Sequence, residues 1–445
     1  MEANCINANK SLYIMAWPIL LELLFFRLMG TVDTLMLSRY ADNAAAAVGF
    51  SNQILLMVTV MFNSVAIGAG TLISQFIGRN DKDKIGEVTV SMLVINAAFG
   101  LFVSVLLIAF SNSLLAGLQL PQGLREDADS YLSIVGGAAL LQALLIAASC
   151  VVRSMGFTRY SMYVNVGINV FHAIVNAFLI YGLWFFPELG VEGSAISTVI
   201  SRGLGLVALL FLVGKLQGGL AWRAIFRYKR TIYKVMKLGS TVAGESLSIY
   251  ISQMVITVFI AMLGAEALSA KVYVQNLTTF ISLFASASGQ ALQIMVGHLV
   301  GQSDSRAAYR TALTGFRNAA LVSASVSLAV WLFGKSILGM YTDDSGLVSL
   351  CRAMLVITVL MEVGRAFNLT VSSSLRGAGD IRYTSLICIF FVWFVSVPLS
   401  YMLGIHWGYG ILGIWAALAL DEWLRGLLML RRWKARKWET KSLAA

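Results

Sequence analysis

The chain has 445 residues, of which 58% are hydrophobic and 12% charged, where a soluble domain averages about 25% charged. That composition excludes an ordinary soluble protein. The formal net charge of +11 raises nucleic acid as a partner, and the placement of the cations then removes it.

Apolar runs of about 20 residues or more, enough for a helix to cross a bilayer, recur from one end of the chain to the other. They predict an all-α integral membrane protein with twelve spans, near 13–38, 47–77, 88–112, 128–152, 161–184, 191–214, 239–263, 270–300, 314–336, 348–374, 384–404 and 409–430. The first run opens with few charges and outlasts a signal peptide, so it is expected to stay as the first span. Pro18 and Pro398 fall inside the first and eleventh spans, where each removes a backbone donor.

Cations gather in alternate loops. One side carries Lys10, then Arg79, Lys82 and Lys84, then Arg153 and Arg159, and later Arg306, Arg310, Arg317, Arg376 and Arg382. The long connection 215–238 and the tail 431–445 add more on that side. Positive charge marks cytoplasmic loops, so both termini are expected in the cytoplasm of a bacterial inner membrane. The basic balance is then a topology signal with some contact to anionic lipid headgroups, and no nucleic-acid site is implied. In the connection, Trp222, Ile225, Phe226, Ile232, Tyr233 and Val235 interleave with cations, a pattern that suits an interfacial helix.

The connection divides two repeats. Arg153-Ser-Met-Gly156 corresponds to Arg376-Gly-Ala-Gly379, an offset of 376 − 153 = 223, and Glu22/Glu245, Gly78/Gly301 and Arg202/Arg425 share it. Six spans is an even number, so both halves start on the same side and are parallel repeats. The expected organisation is an amino-terminal lobe at 1–214, a cytoplasmic linker at 215–238, a carboxy-terminal lobe at 239–430 and a basic tail at 431–445.

Asp33 lies in the otherwise apolar first span. A charge there costs several kcal/mol unless it faces a cavity, finds a partner or takes up a proton. The fifth span offers Asn165, Asn169, His172 and Asn176, spaced 4, 3 and 4, which at 3.6 residues per turn form one polar stripe. The second half does not repeat this chemistry, since the position of Asp33 plus 223 is Ile256. Its tenth span instead carries Glu362, Arg365 and Asn368. Arg365 there would offer a positive charge to an anionic substrate, or form a structural ion pair that draws in Glu245.

Four cysteines and three histidines have no metal-site or disulfide spacing. There is no nucleotide-binding G-x-x-x-x-G-K-[ST] loop, so energy would come from an ion gradient. Asp33 suits a proton; with Asn176, Thr198 and backbone oxygens it also suits sodium, which prefers oxygen ligands. No Ser–His–Asp, H-E-x-x-H or paired-aspartate motif suggests an enzyme, and no cofactor is expected.

Val32-Asp33-Thr34-Leu35-Met36 after Pro18, Ile73-Ser74-Gln75-Phe76-Ile77-Gly78, Gly190-Val191-Glu192-Gly193-Ser194-Ala195 and Leu375-Arg376-Gly377-Ala378-Gly379-Asp380 together resemble the multidrug and toxic compound extrusion (MATE) transporters of the MOP flippase superfamily. The resemblance covers essentially the whole chain. It implies two six-helix lobes around a cleft that opens alternately to each side, export of organic compounds by cation antiport, and sufficiency of a monomer. It places the DinF-like amino-lobe coupling site on Asp33, His172, Asn176 and Thr198. From the residue pattern, Asn165, Asn169, Glu362, Arg365 and Asn368 are expected to line the substrate cavity. The second-lobe carboxylates of NorM-type members are missing, and Arg365 stands in place of the tenth-span acid, which favours proton over sodium coupling. The rival expectation is a flippase or exporter of a lipid-linked or anionic, flavin-like metabolite that uses Arg365.

Overall fold

The structure is a computed structural model that describes residues 12–219 and 228–443. The described residues form helices joined by turns and short loops. Its first half contains α1 (Leu12–Tyr40), α2 (Asp42–Arg79), α3 (Lys82–Gly117), α4 (Gln122–Gly137), α5 (Ala139–Ser154), α6 (Thr158–Tyr181) and α7 (Gly190–Gln217). The second contains α8 (Lys229–Met262), α9 (Ala265–Gly301), α10 (Ser305–Leu332), the short α11 (Gly334–Leu338), α12 (Ser345–Gly377), α13 (Ile381–Phe391), α14 (Val397–Tyr401) and α15 (Gly410–Lys434).

Among the described residues ten helical stretches are long and apolar enough to cross a membrane, and the pair α4–α5, bent by 48°, makes an eleventh. The twelfth is α15, an apolar helix interrupted by Asp421, Glu422 and Arg425. The protein is thus an all-α membrane protein of twelve spans in two related halves. Most helices outrun the predicted spans at their basic ends. The largest difference is α8, which begins at Lys229, ten residues ahead of the predicted 239. Ile232, Tyr233 and Val235 therefore belong to this helix, while Trp222, Ile225 and Phe226 lie outside the described residues.

The two prolines are accommodated differently. α1 continues through Pro18. Around Pro398 the backbone widens into π turns at Val392–Ser396 and Met402–His406, on either side of α14. A wide turn absorbs the hydrogen bond that a proline withholds from a helix.

The described residues form two compact units: 21–73 and 81–243 in the first, and 12–20, 74–80 and 244–443 in the second. The sequence division places 12–20 and 74–80 with the first half. The structure shows why the second piece clusters as it does. A Cβ on Gly78 would lie 2.1 Å from the His298 carbonyl oxygen, and one on Gly301 2.1 Å from that of Gln75. These two glycines are a repeat pair, and the missing side chains let the ends of α2 and α9 touch backbone to backbone.

Each unit also holds one copy of a repeated ion pair. Arg153 Nη1 meets Glu22 Oε1 at 2.5 Å in the first unit, and Arg376 Nη2 meets Glu245 Oε1 at 2.5 Å in the second. The sequence separation is 131 in both (153 − 22 and 376 − 245).

In the second unit the tail folds back on the bundle. Trp438 is fully buried, stacked on Trp433 at 4.4 Å between ring centroids, and its Nε1 donates to the Trp433 carbonyl at 3.0 Å. The Leu443 N–H donates to Gln75 Oε1 at 2.8 Å. Loss of a buried aromatic ring typically costs about 3–5 kcal/mol. Trp438→Ala is therefore expected to lower the unfolding temperature in detergent by several degrees. An unchanged transition would show that the tail contributes nothing to this unit.

Candidate functional site

α1 and α6 run side by side in one register. Asn165 Nδ2 donates to Glu22 Oε1 at 2.9 Å, and Asn176 Nδ2 donates to Asp33 Oδ1 at 2.9 Å. The offset is 143 in both (165 − 22 and 176 − 33), so the polar stripe of α6 faces the two carboxylates of α1, three helical turns apart.

The amino-terminal half of this stripe is a structural knot. Besides Asn165 and Arg153, Glu22 receives the Ser161 hydroxyl at 3.2 Å, and Asn165 also reaches Ser149 Oγ at 2.8 Å. Asn165 thus joins the Glu22–Arg153 pair, away from Asp33. Asn169 stands between the two groups, half-buried.

The carboxy-terminal half surrounds Asp33, whose side chain is 15% exposed. His172 Nδ1 lies 3.8 Å from Asp33 Oδ1, and His172 Nε2 lies 3.1 Å from Thr198 Oγ1 on α7. The Thr198 hydroxyl donates its one proton to the Ser194 carbonyl at 3.0 Å. Its oxygen must then accept from His172 Nε2–H, and in the neutral imidazole this leaves Nδ1 as a bare acceptor. Two acceptors therefore face one another across a short gap, Asp33 Oδ1 and His172 Nδ1. Asn176 Oδ1 is buried with no hydrogen-bond partner. Asp33, His172, Asn176 and Thr198 are thereby brought together.

Two neighbours escaped the sequence reading. Tyr131 of α4, 3% exposed, lies beside Thr198 and directs its hydroxyl to Asn52 Oδ1 at 3.4 Å. Arg202, one turn beyond Thr198 on α7, is within electrostatic reach of both Tyr131 and Asp33. An arginine inside the sixth span is itself a signal, and the repeat pairing with Arg425 had already marked it.

In the second unit Glu362, Arg365 and Asn368 also come together, with partners from α15. Arg365 Nη1 meets Glu362 Oε1 at 2.5 Å and its Nε meets Glu422 Oε1 at 3.3 Å. Asn368 Nδ2 donates to Glu422 Oε2 at 2.8 Å, and Arg425 bridges Asp421 at 2.6 Å and Glu422 at 3.4 Å. The side chain of Glu362 is fully buried. Glu245 takes no part in this cluster; its partners are Arg376 and the Ser385 hydroxyl. The charge of Arg365 is thus already met by two carboxylates, which leaves little of it for an anionic cargo.

The MatE family model matches the chain twice, over residues 18–178 and 242–402. The two matches lie 224 residues apart (242 − 18), in agreement with the repeat offset. The chain is 39% identical over 436 residues to the uncharacterized transporter YisQ of Bacillus subtilis, covering 98% of this chain and 96% of that one. It is 24% identical to the multidrug resistance protein PmpM of Pseudomonas aeruginosa, with coverage of 92% and 88%. A solved outward-facing multidrug resistance MATE family transporter of the MOP superfamily has the same fold, with a TM-score of 0.89, 16% identity and coverage of 98% and 97%. Two matched repeats, twelve spans and relatives that align from end to end agree: the chain belongs to the MatE family of multidrug and toxic compound extrusion transporters, multi-pass membrane proteins that carry small organic compounds and are not enzymes.

Proposed function

We propose that the protein exports small organic compounds across the bacterial cytoplasmic membrane by alternating access, driven by proton antiport through Asp33. The observation that carries this reading is the pair of facing acceptors. A proton entering the gap between Asp33 Oδ1 and His172 Nδ1, 3.8 Å apart, turns two mutually repelling lone pairs into a donor and an acceptor, and the pair closes. Loss of the proton opens it again. One proton thus controls how tightly the outer half of α1 is held to α6, and α1 is a long helix able to transmit that change. Protonation favours release of the substrate and deprotonation favours reloading. In this reading both termini face the cytoplasm, the protein acts as a monomer among membrane lipids, and nucleic acid has no part in its function.

Sodium is the competing ion. Asp33, the unpartnered Asn176 Oδ1 and Thr198 Oγ1 supply the oxygen donors that a hard cation prefers. Efflux of a fluorescent organic cation from reconstituted vesicles, with proton and sodium gradients imposed separately, separates the two. Accumulation driven by the proton gradient alone is the expected result. Transport that follows only the sodium gradient would move sodium into the site.

A further inference from the structure

The second unit carries two polar stripes for which no role has been assigned. On α8 the residues Ser246, Tyr250, Gln253 and Thr257 are spaced 4, 3 and 4; on α9 Lys271, Gln275, Thr279 and Ser282 are spaced 4, 4 and 3. Each set occupies one narrow face of its helix at 3.6 residues per turn. Gln253 and Gln275 are exposed, and Lys271, Thr257 and Thr279 are half-buried. The stripes are joined where Lys271 Nζ donates to Thr257 Oγ1.

With the eighth span beginning near 270, Gln275 lies about 8 Å and Thr279 about 14 Å inside it, and Gln253 lies about 15 Å inside the seventh span, which ends near 263, at 1.5 Å per residue. That is deeper than the headgroup layer, which takes up about 5–7 Å on each side of the hydrocarbon. Exposed amides at such depth are not tolerated against lipid tails and mark a water-filled path, with Lys271 at its mouth. Lys271 turns across to α8.

No acid neutralises it among the described residues. The carboxylates of α8 and α9 are Glu245, held by Arg376, and Glu266, in the first turn of α9 and not ion-paired to Lys271. The acids of the packed α12 and α15, which are Glu362, Asp421 and Glu422, are bound by Arg365 and Arg425. The Thr257 hydroxyl spends its proton on the Gln253 carbonyl at 2.6 Å, so it accepts one of three ammonium protons and two remain. The repeat sharpens the contrast. Thr257 is the counterpart of Thr34 and Ile256 that of Asp33 (256 − 33 = 223). Where the first unit keeps an acid, the second keeps an uncompensated base nearby.

We propose that Lys271, with Gln253 and Gln275, is a recognition site for the anionic group of a substrate. The favoured cargo is then an organic compound that bears a carboxylate or a similar acid, zwitterionic rather than purely cationic. This rests on the exporter reading for its physiological meaning, but the binding claim can be tested separately.

The probes are rhodamine B, which has a free carboxylate, and its methyl ester, which has none. Their binding to the purified protein in detergent is followed by fluorescence anisotropy. The wild type is expected to bind the acid about tenfold more tightly than the ester, the size of one charge-assisted contact of about 1.4 kcal/mol. Lys271→Met should bring that ratio close to one while leaving the ester's affinity unchanged, and Lys271→Arg should keep the preference. A wild-type ratio near one, or an unchanged ratio in Lys271→Met, overturns the proposal. If the ratio behaves as expected but neither dye is moved by a gradient in vesicles, the exporter reading fails and the anion site stands.

Discussion

Asp33→Asn is expected to leave a folded, inserted protein that moves no substrate against a gradient. Asparagine is close to isosteric with aspartate, and its carbonyl oxygen still accepts from Asn176 Nδ2, the contact that Asp33 Oδ1 makes at 2.9 Å. The same Oδ1 faces His172 Nδ1, so the asparagine carbonyl holds that position, cannot take up the proton that closes the gap, and leaves the pair in one state. Because a half-buried charge is replaced by a neutral group of the same shape, stability should change by no more than about 1 kcal/mol. Efflux from vesicles under a proton gradient should fall to the level of protein-free vesicles, while the unfolding temperature and yield in detergent stay near wild type. Proton-driven efflux that survives in this variant would take Asp33 out of the coupling mechanism.

The chemistry around Asp33 was largely legible because it follows helical spacing. Asn165, Asn169, His172 and Asn176 had to share a face of their helix, and a single intramembrane carboxylate on the first span gave that face something to meet. Sequence spacing did not tell how far along α1 each member would pair. Two carboxylates eleven residues apart were available, and Asn165 went to Glu22. Tyr131 and Arg202 were missed for another reason: they reach the site from α4 and α7, and only tertiary packing brings those helices to α1. The pairing of Glu245 shows a signal that was present but unread. Glu22 with Glu245 and Arg153 with Arg376 are both repeat pairs, so an ion pair in one half predicts its copy in the other, and both copies exist. The same symmetry is silent on Asp33 and on Lys271, whose counterparts at the 223 offset are Ile256 and Val48.

Arg365→Met should act in the opposite way to Asp33→Asn, by destroying the fold before it touches transport. The guanidinium lies between Glu362, fully buried, and Glu422, 14% exposed. Its removal leaves Glu362 with no countercharge in a place that water does not reach. Breaking one side of a buried ion pair costs about 3–5 kcal/mol, most of it the penalty of the charge left behind. That is a large part of the few kcal/mol by which a native fold exceeds its unfolded state. The single variant is therefore expected to give little monodisperse protein on extraction, or an unfolding temperature lowered by well over five degrees. Glu362→Met combined with Arg365→Met removes both charges together. Glu422 then still has Asn368 at 2.8 Å and Arg425 at 3.4 Å, so the double variant should recover most of the lost stability, as buried pairs replaced by apolar side chains commonly do. Transport by the recovered double variant would assign this cluster to the packing of α12 on α15. A stable single variant that has lost only the export of acidic compounds would instead return Arg365 to the cargo, and would make the anion site a property of α12 rather than of Lys271.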